Sequence, residues 1–332
     1  MNIGNVRELK RFAGERVANA HDPKRIVLIY TGLTIALSLL GMAADYMLDL
    51  QIGKLGGLSN MGTRTVLSTF QSILPLAQSV LSMCLSVGFL SAMLRIARGQ
   101  FASPQGLRLG FDRFWVLLRS SVIQGLIYSG VLIGGVYIGI MIFMISPLSR
   151  DVMELLAPYV TDVTVLDSAI VLEDAVYAQF FQLMWPAYLI CGVVIAVLGL
   201  PIVYYYRMVN YVIIDKPAMG ALAALRESKK MMRGNRLKLL KRDISMWWYY
   251  GALTLASVIC YGDEILPMLG VALPFSPDVS FFLFYALYLA ATAVIYYFML
   301  DRVEVTYALA YDAVKPEEPK DNGVVLGNIF QM

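Results

Sequence analysis

Long apolar blocks alternate with charged stretches along this chain. The blocks cover residues 26–47, 66–94, 120–145, 177–206, 244–261 and 279–300. A helix needs about 20 mostly apolar residues to cross a hydrocarbon core about 30 Å thick. The pattern therefore predicts an all-α, polytopic membrane helix bundle with about six transmembrane helices, the fifth of them short. Pro75 in the second block, and Pro186 and Pro201 in the fourth, predict tilted or kinked helices. Residues 265–277 are apolar but broken by Pro267, Pro274 and Pro277. They read as an outer loop or a shallow re-entrant segment, because irregular backbone cannot satisfy its polar groups against lipid.

Composition agrees with the pattern. Of 332 residues 58% are hydrophobic and 15% charged, against about 45–50% and about 25% in a soluble domain. Charge then orients the bundle, since Lys and Arg gather in short loops on the cytoplasmic side. Of the 27 cations, 24 lie before the first block, between blocks two and three, between blocks four and five, or after block six. Only Lys54, Arg64 and Arg150 lie opposite, on a face rich in acids such as Asp151, Glu154, Asp162, Asp167, Glu173 and Asp174. Both termini are therefore expected inside. The chain divides into a basic lead-in (1–25), a membrane domain (26–312) and a polar cytoplasmic tail (313–332). The lead-in is too charged for a signal peptide, and no small-residue cleavage site follows the first block.

The richest cytoplasmic stretch is 204–251. Asp215-Lys216-Pro217 reads as a turn whose proline starts a helix. Leu222, Leu225 and Met232 then share one face, while Arg226, Lys229, Lys230 and Arg233 crowd the other. Gly234-Asn235 reads as a left-handed helix stop. Such a basic amphipathic helix is expected to lie on the membrane, apolar face down, with its cations toward anionic headgroups. Arg226, Lys229, Lys230, Arg233 and Arg236 are the lipid-headgroup candidates. A weak parallel repeat is also visible: nine residues separate Arg95 from Pro104 and ten separate Arg207 from Pro217.

This stretch resembles the bacterial integral-membrane family called domain of unknown function 975, itself distantly similar to the membrane domains of some glycerophosphodiester phosphodiesterases. The family-like positions are Asp215, Pro217, Ser228, Met232, Gly234, Asn235, Arg236, Ser245 and Trp247, preceded by Pro201 and the tyrosines 204–206. Tyr307 and Tyr311-Asp312 also look similar. The match departs at Ser245-Met246-Trp247-Trp248-Tyr249, and the acidic stretch 148–176 has no counterpart. The resemblance implies a multi-pass protein of the bacterial cytoplasmic membrane and no known reaction.

Few residues suggest chemistry. Cys84, Cys191 and Cys260 sit apart inside apolar blocks, and His21 stands alone, so no disulfide, metal or cofactor is expected. No nucleotide-binding, zinc-hydrolase or serine-hydrolase motif occurs. The cations lack the interleaved aromatics of a nucleic-acid surface. Ser228 is expected to face the interface, Asn235 to cap a helix, and Trp247 and Trp248 to anchor at the bilayer surface. The residue pairs Tyr249-Tyr250 and Tyr296-Tyr297 read as packing. The sequence thus points to a protein without enzymatic activity, transport-related or accessory, with lipid and a membrane-protein partner as its contacts. The alternative is a lipid-sensing or interaction module working through the basic helices.

Overall fold

A computed structural model describes residues 5–55, 61–160, 174–268, 270–271 and 273–316. Among these residues the fold is helical, without strands. In chain order the helices are α1 (Val6–Asn19), α2 (Pro23–Lys54), α3 (Met61–Ala97), a 3-10 turn (Pro104–Arg108), α4 (Leu109–Asp112), α5 (Phe114–Ile145), α6 (Ser149–Val160) and α7 (Asp174–Tyr206). They continue as α8 (Val209–Asp215), α9 (Ala221–Met232), α10 (Arg236–Ser245), α11 (Trp247–Cys260), α12 (Gly262–Met268), α13 (Pro277–Ile295), a π-helical segment (Tyr296–Leu300) and α14 (Asp301–Val314).

Five helices are long and apolar enough to cross a membrane: Pro23–Lys54, Met61–Ala97, Phe114–Ile145, Gln179–Asp215 and Pro277–Val314. They correspond to all the predicted spans but the fifth. That segment forms α11, only 14 residues long, or about 21 Å at about 1.5 Å per residue. Pro75, Pro186 and Pro201 all lie inside continuous helix.

The chain divides into two compact units, Met1–Leu118 with Met208–Met332, and Arg119–Arg207. In the first, the 37-residue α3 and the 38-residue helix from Pro277 are each about 55 Å long, well beyond the thickness of a hydrocarbon core. Their extra turns carry the polar half of the unit. The basic lead-in forms α1, which buries Leu9, Ala13 and Val17 at four-residue spacing against α14 and α3. Asn5 opens it by accepting from the Glu8 amide. The turn and helix after α3 fold back onto α3 itself. Gly88 and Gly110 permit this approach, since a Cβ on Gly88 would strike the Leu107 carbonyl and one on Gly110 the Cys84 carbonyl. The two loops paired as a repeat fold differently, one as a 3-10 turn and α4, the other as α8, α9 and α10.

The second unit comprises the body of α5 with α6 and α7. Phe143, Val152 and Ala187 form its core, with Leu183, Met184 and Ile190 packed on it. Gly135 and Gly139 let α5 approach Ile195 and Cys191 of α7. Asp162 and Asp167, expected on the acidic outer stretch, lie outside the described residues, as does most of the tail.

Candidate functional site

The extended end of the last helix organises the polar half of the first unit. Its residues 300–311 are almost all buried, including Asp301, Thr306, Tyr307 and Tyr311. Asp301, Glu304, Tyr307, Tyr311, Asp312 and Lys315 lie along it or just past its end, and together they reach α2, α8, α10 and the end of α3.

The densest group sits where α3, α8 and α14 end. Arg98, just past α3, donates from Nε and Nη2 to Asp312, at 3.1 Å to Oδ2 and 2.7 Å to Oδ1. Its Nη1 donates to Asp215 Oδ1 at 2.7 Å. Lys315 Nζ lies 2.8 Å from the other Asp215 oxygen, which also accepts from the Tyr311 hydroxyl at 3.1 Å. Two cations and two carboxylates thus neutralise each other. The hydrogen bond to Asp312 holds the Arg98 guanidinium above its ordinary pKa against the opposing effect of burial, with Asp215 adding to it. Burial alone would raise the Asp215 carboxyl, but Arg98 and Lys315 outweigh it and hold it at about 2.

A second group surrounds Arg242 of α10, which is fully buried. Its guanidinium lies over the Tyr307 ring, 3.3 Å from the centroid, and its Nη2 donates to Asp243 at 2.6 Å. Tyr307 donates to the same Asp243 oxygen at 2.6 Å and meets the Tyr250 hydroxyl. A third group joins the first turn of α2 to α14. Lys24 Nζ pairs with Asp301 Oδ2 at 2.8 Å and donates to the Tyr297 carbonyl at 2.5 Å. That carbonyl lies in the π-helical segment.

Only some of the residues singled out in the sequence join these groups. Asp215 is central to the first. Pro217 lies in a turn closed by Met219 N–H on the Lys216 carbonyl, and its own carbonyl accepts from Arg113 at 2.5 Å. It does not start the helix; α9 begins at Ala221, after Gly220. Ser245 donates to the Arg242 carbonyl and accepts from Lys10 at its own carbonyl, both at 2.6 Å, which ties α10 to α1.

The predicted arrangement of α9 needs correction. Leu225 and Met232 are buried within the protein rather than turned to lipid, together with Ala224 and Met231. Ser228 is fully buried on that same face instead of facing the interface. Protein packing therefore covers the apolar stripe of α9 at Leu225 and Met232, while Leu222 at its start remains exposed. Arg226, Lys229, Lys230 and Arg233 remain exposed, and Arg236 is half-buried. Gly234 takes the expected positive φ, 84°. Asn235 closes the end of α9, its side chain donating to the Met231 carbonyl at 3.0 Å. Trp247 is 72% exposed.

Arg98, Lys24, Asp301, Asp243 and Lys315 were not singled out in the sequence. The signal for the α14 partners was present: the helical spacing of its polar residues continues past residue 300, where the apolar block ends.

A family model described as "Protein of unknown function (DUF975)" matches residues 7–316. No curated protein and no solved structure matches.

Proposed function

The chain belongs to the DUF975 family of proteins of unknown function, and from that premise we propose a multi-pass protein of the bacterial cytoplasmic membrane that acts without catalysis, as an accessory or transport-related component. It has six spans and both termini inside. One observation supports the topology in this reading. The four basic segments that charge alone assigns to the cytoplasm meet around α14: α1 through its packing, the end of α3 through Arg98, α8 and α10 through Asp215 and Asp243, and the tail through Lys315. Segments distant in sequence share one ion-paired base only if they lie on one side of the bilayer. The sixth crossing is α11 continued by α12. It packs along α13, and the two helices border an apolar groove of about 530 Å³ whose walls include Ala252, Ala256, Ala290 and Ala291.

Single cysteines in a cysteine-free background test the orientation. With Lys54→Cys, a membrane-impermeant maleimide is expected to label intact cells. With Lys238→Cys, labelling is expected only after permeabilisation. Labelling of Lys238→Cys in intact cells would overturn the topology and the cytoplasmic base with it.

The lipid-sensing alternative keeps one specific support, which moves from α9 to α10. Leu237, Ile244 and Trp247 are 78%, 62% and 72% exposed, with Lys238 and Lys241 exposed beside them. That is the composition of an interfacial face. A variant retaining Trp247 as its single tryptophan should be quenched by lipids brominated near the headgroup. Quenching only by deep labels, or none, would remove this reading.

A further inference from the structure

A separate polar cavity lies where α1 hands over to α2 beside the exit of α3. Its volume is about 300 Å³, and its walls include Arg16, Asn19 and His21 from one side and Gly99, Gln100 and Phe101 from the other. The two sides fit through Gly99, which takes a φ of 71° and leaves the space a Cβ would fill to the Arg16 guanidinium. His21 stacks on Phe101, with ring centroids 5.9 Å apart and planes 28° from parallel.

The side chains lining this cavity differ from those of the ion-paired groups. Arg16, Asn19, His21 and Gln100 are all exposed to solvent at its mouth, and among the described residues none of them has a side-chain hydrogen bond or ion pair within the protein. All four carry N–H donors, and no carboxylate lines the cavity. A guanidinium fork beside amide and imidazole donors matches the oxygens of a phosphate group. A cavity of this size holds a phosphate with a small substituent. The Phe101 ring, 68% exposed, supplies an apolar wall for that substituent. In the chain the lining residues lie just before Pro23, the first residue of α2, and around Ala97, the last of α3.

We propose that Arg16, Asn19, His21 and Gln100 form a binding site for a phosphate ester, either an anionic phospholipid headgroup or a small soluble phosphate. The site is independent of the α10 surface and of the ion-paired base around α14.

The full-length protein in neutral detergent tests this by calorimetric titration with three probes: dihexanoyl phosphatidic acid, dihexanoyl phosphatidylcholine and inorganic phosphate, all below the lipids' micellar concentrations. Saturable binding of phosphatidic acid, weakened at least tenfold by Arg16→Gln and by Gln100→Ala, would establish the site with a lipid as its ligand. Saturable binding of inorganic phosphate that displaces phosphatidic acid, with the same losses, would establish it with a soluble phosphate. Arg11→Gln serves as the control, because it removes an equal charge from the same helix while its side chain points to solvent and to Glu15. Equal weakening by Arg11→Gln and Arg16→Gln would reduce the effect to net charge and overturn the site. So would binding of none of the probes by a protein whose thermal unfolding is unchanged. Gln100→Ala sits on the opposite wall, so a folding defect confined to α1 would not hide the outcome.

Discussion

Arg98 and Asp312, 214 positions apart, are joined by a two-pronged hydrogen bond with 2.7 and 3.1 Å contacts. The third guanidinium nitrogen is committed to Asp215. Replacing Arg98 removes an ion pair from each of two partly buried carboxylates, and Lys315 remains beside Asp215. Breaking one partner out of a buried pair costs about 3–5 kcal/mol, less where solvent reaches. Arg98 is 28% exposed, so Arg98→Gln should destabilise the protein by about 2 kcal/mol. Arg98→Lys should recover less than half of that, because an ammonium cannot serve both carboxylates in one plane. Thermal unfolding in detergent reads both effects.

The same group makes stability depend on acid. Asp215 is held at about 2, below the about 3.9 of an unfolded aspartate. A depressed folded pKa contributes stability that is complete above the unfolded value and is lost as pH falls through the folded one. The melting temperature should therefore decline between about pH 4 and pH 2. Asp215→Asn should lower it at neutral pH and flatten that decline. An equally steep acid limb in Asp215→Asn would show that other carboxylates control it.

Lys24 and Asp301 form the more buried pair, with the carboxylate side chain fully enclosed. Lys24→Met strands that charge beside the π segment and removes the hydrogen bond to the Tyr297 carbonyl. The expected loss is about 3 kcal/mol. Adding Asp301→Asn should return at least half of it, because the stranded charge is then gone. A double variant as unstable as the product of two independent defects would mean that the pair does not interact energetically.

The long helices were legible because hydropathy reports them directly, and Gly234 because a left-handed stop needs glycine. The inward face of α9 was not. Leu225 and Met232 have the spacing of an interfacial helix, and periodicity marks an apolar face without saying whether protein or lipid covers it. Ser228 lies on that face, so its burial followed from the same choice. The ion-paired base was hidden for a different reason. Arg98, Asp215 and Asp312 come from three separate segments, and neither the count of cytoplasmic cations nor the family-like positions of the two aspartates says that they meet. The short α11 shows a third limit: residues 244–261 are apolar enough to suggest a span, but Arg242 and Met246 belong to the buried face of the preceding helix, which moves the boundary to Trp247.

Gly110 tests whether the segment after α3 is held by backbone contact or merely by chain connectivity. A Cβ there would overlap the carbonyl of Cys84, a main-chain atom inside a continuous helix that cannot rotate away. Relief would require lifting α4 off α3, which would disturb Arg113 and its hydrogen bond to the Pro217 carbonyl. Overpacking of this kind costs about 1–3 kcal/mol, so Gly110→Ala should destabilise by about 2 kcal/mol. Gly106→Ala, in the adjoining turn with open space around it, should change stability by less than about 0.5 kcal/mol. Hydrogen exchange should localise the Gly110→Ala effect to residues 104–118 and the turn around Pro217. Uniform loosening of the whole unit, or equal effects from the two glycines, would show that close contact at Gly110 does not hold this segment in place.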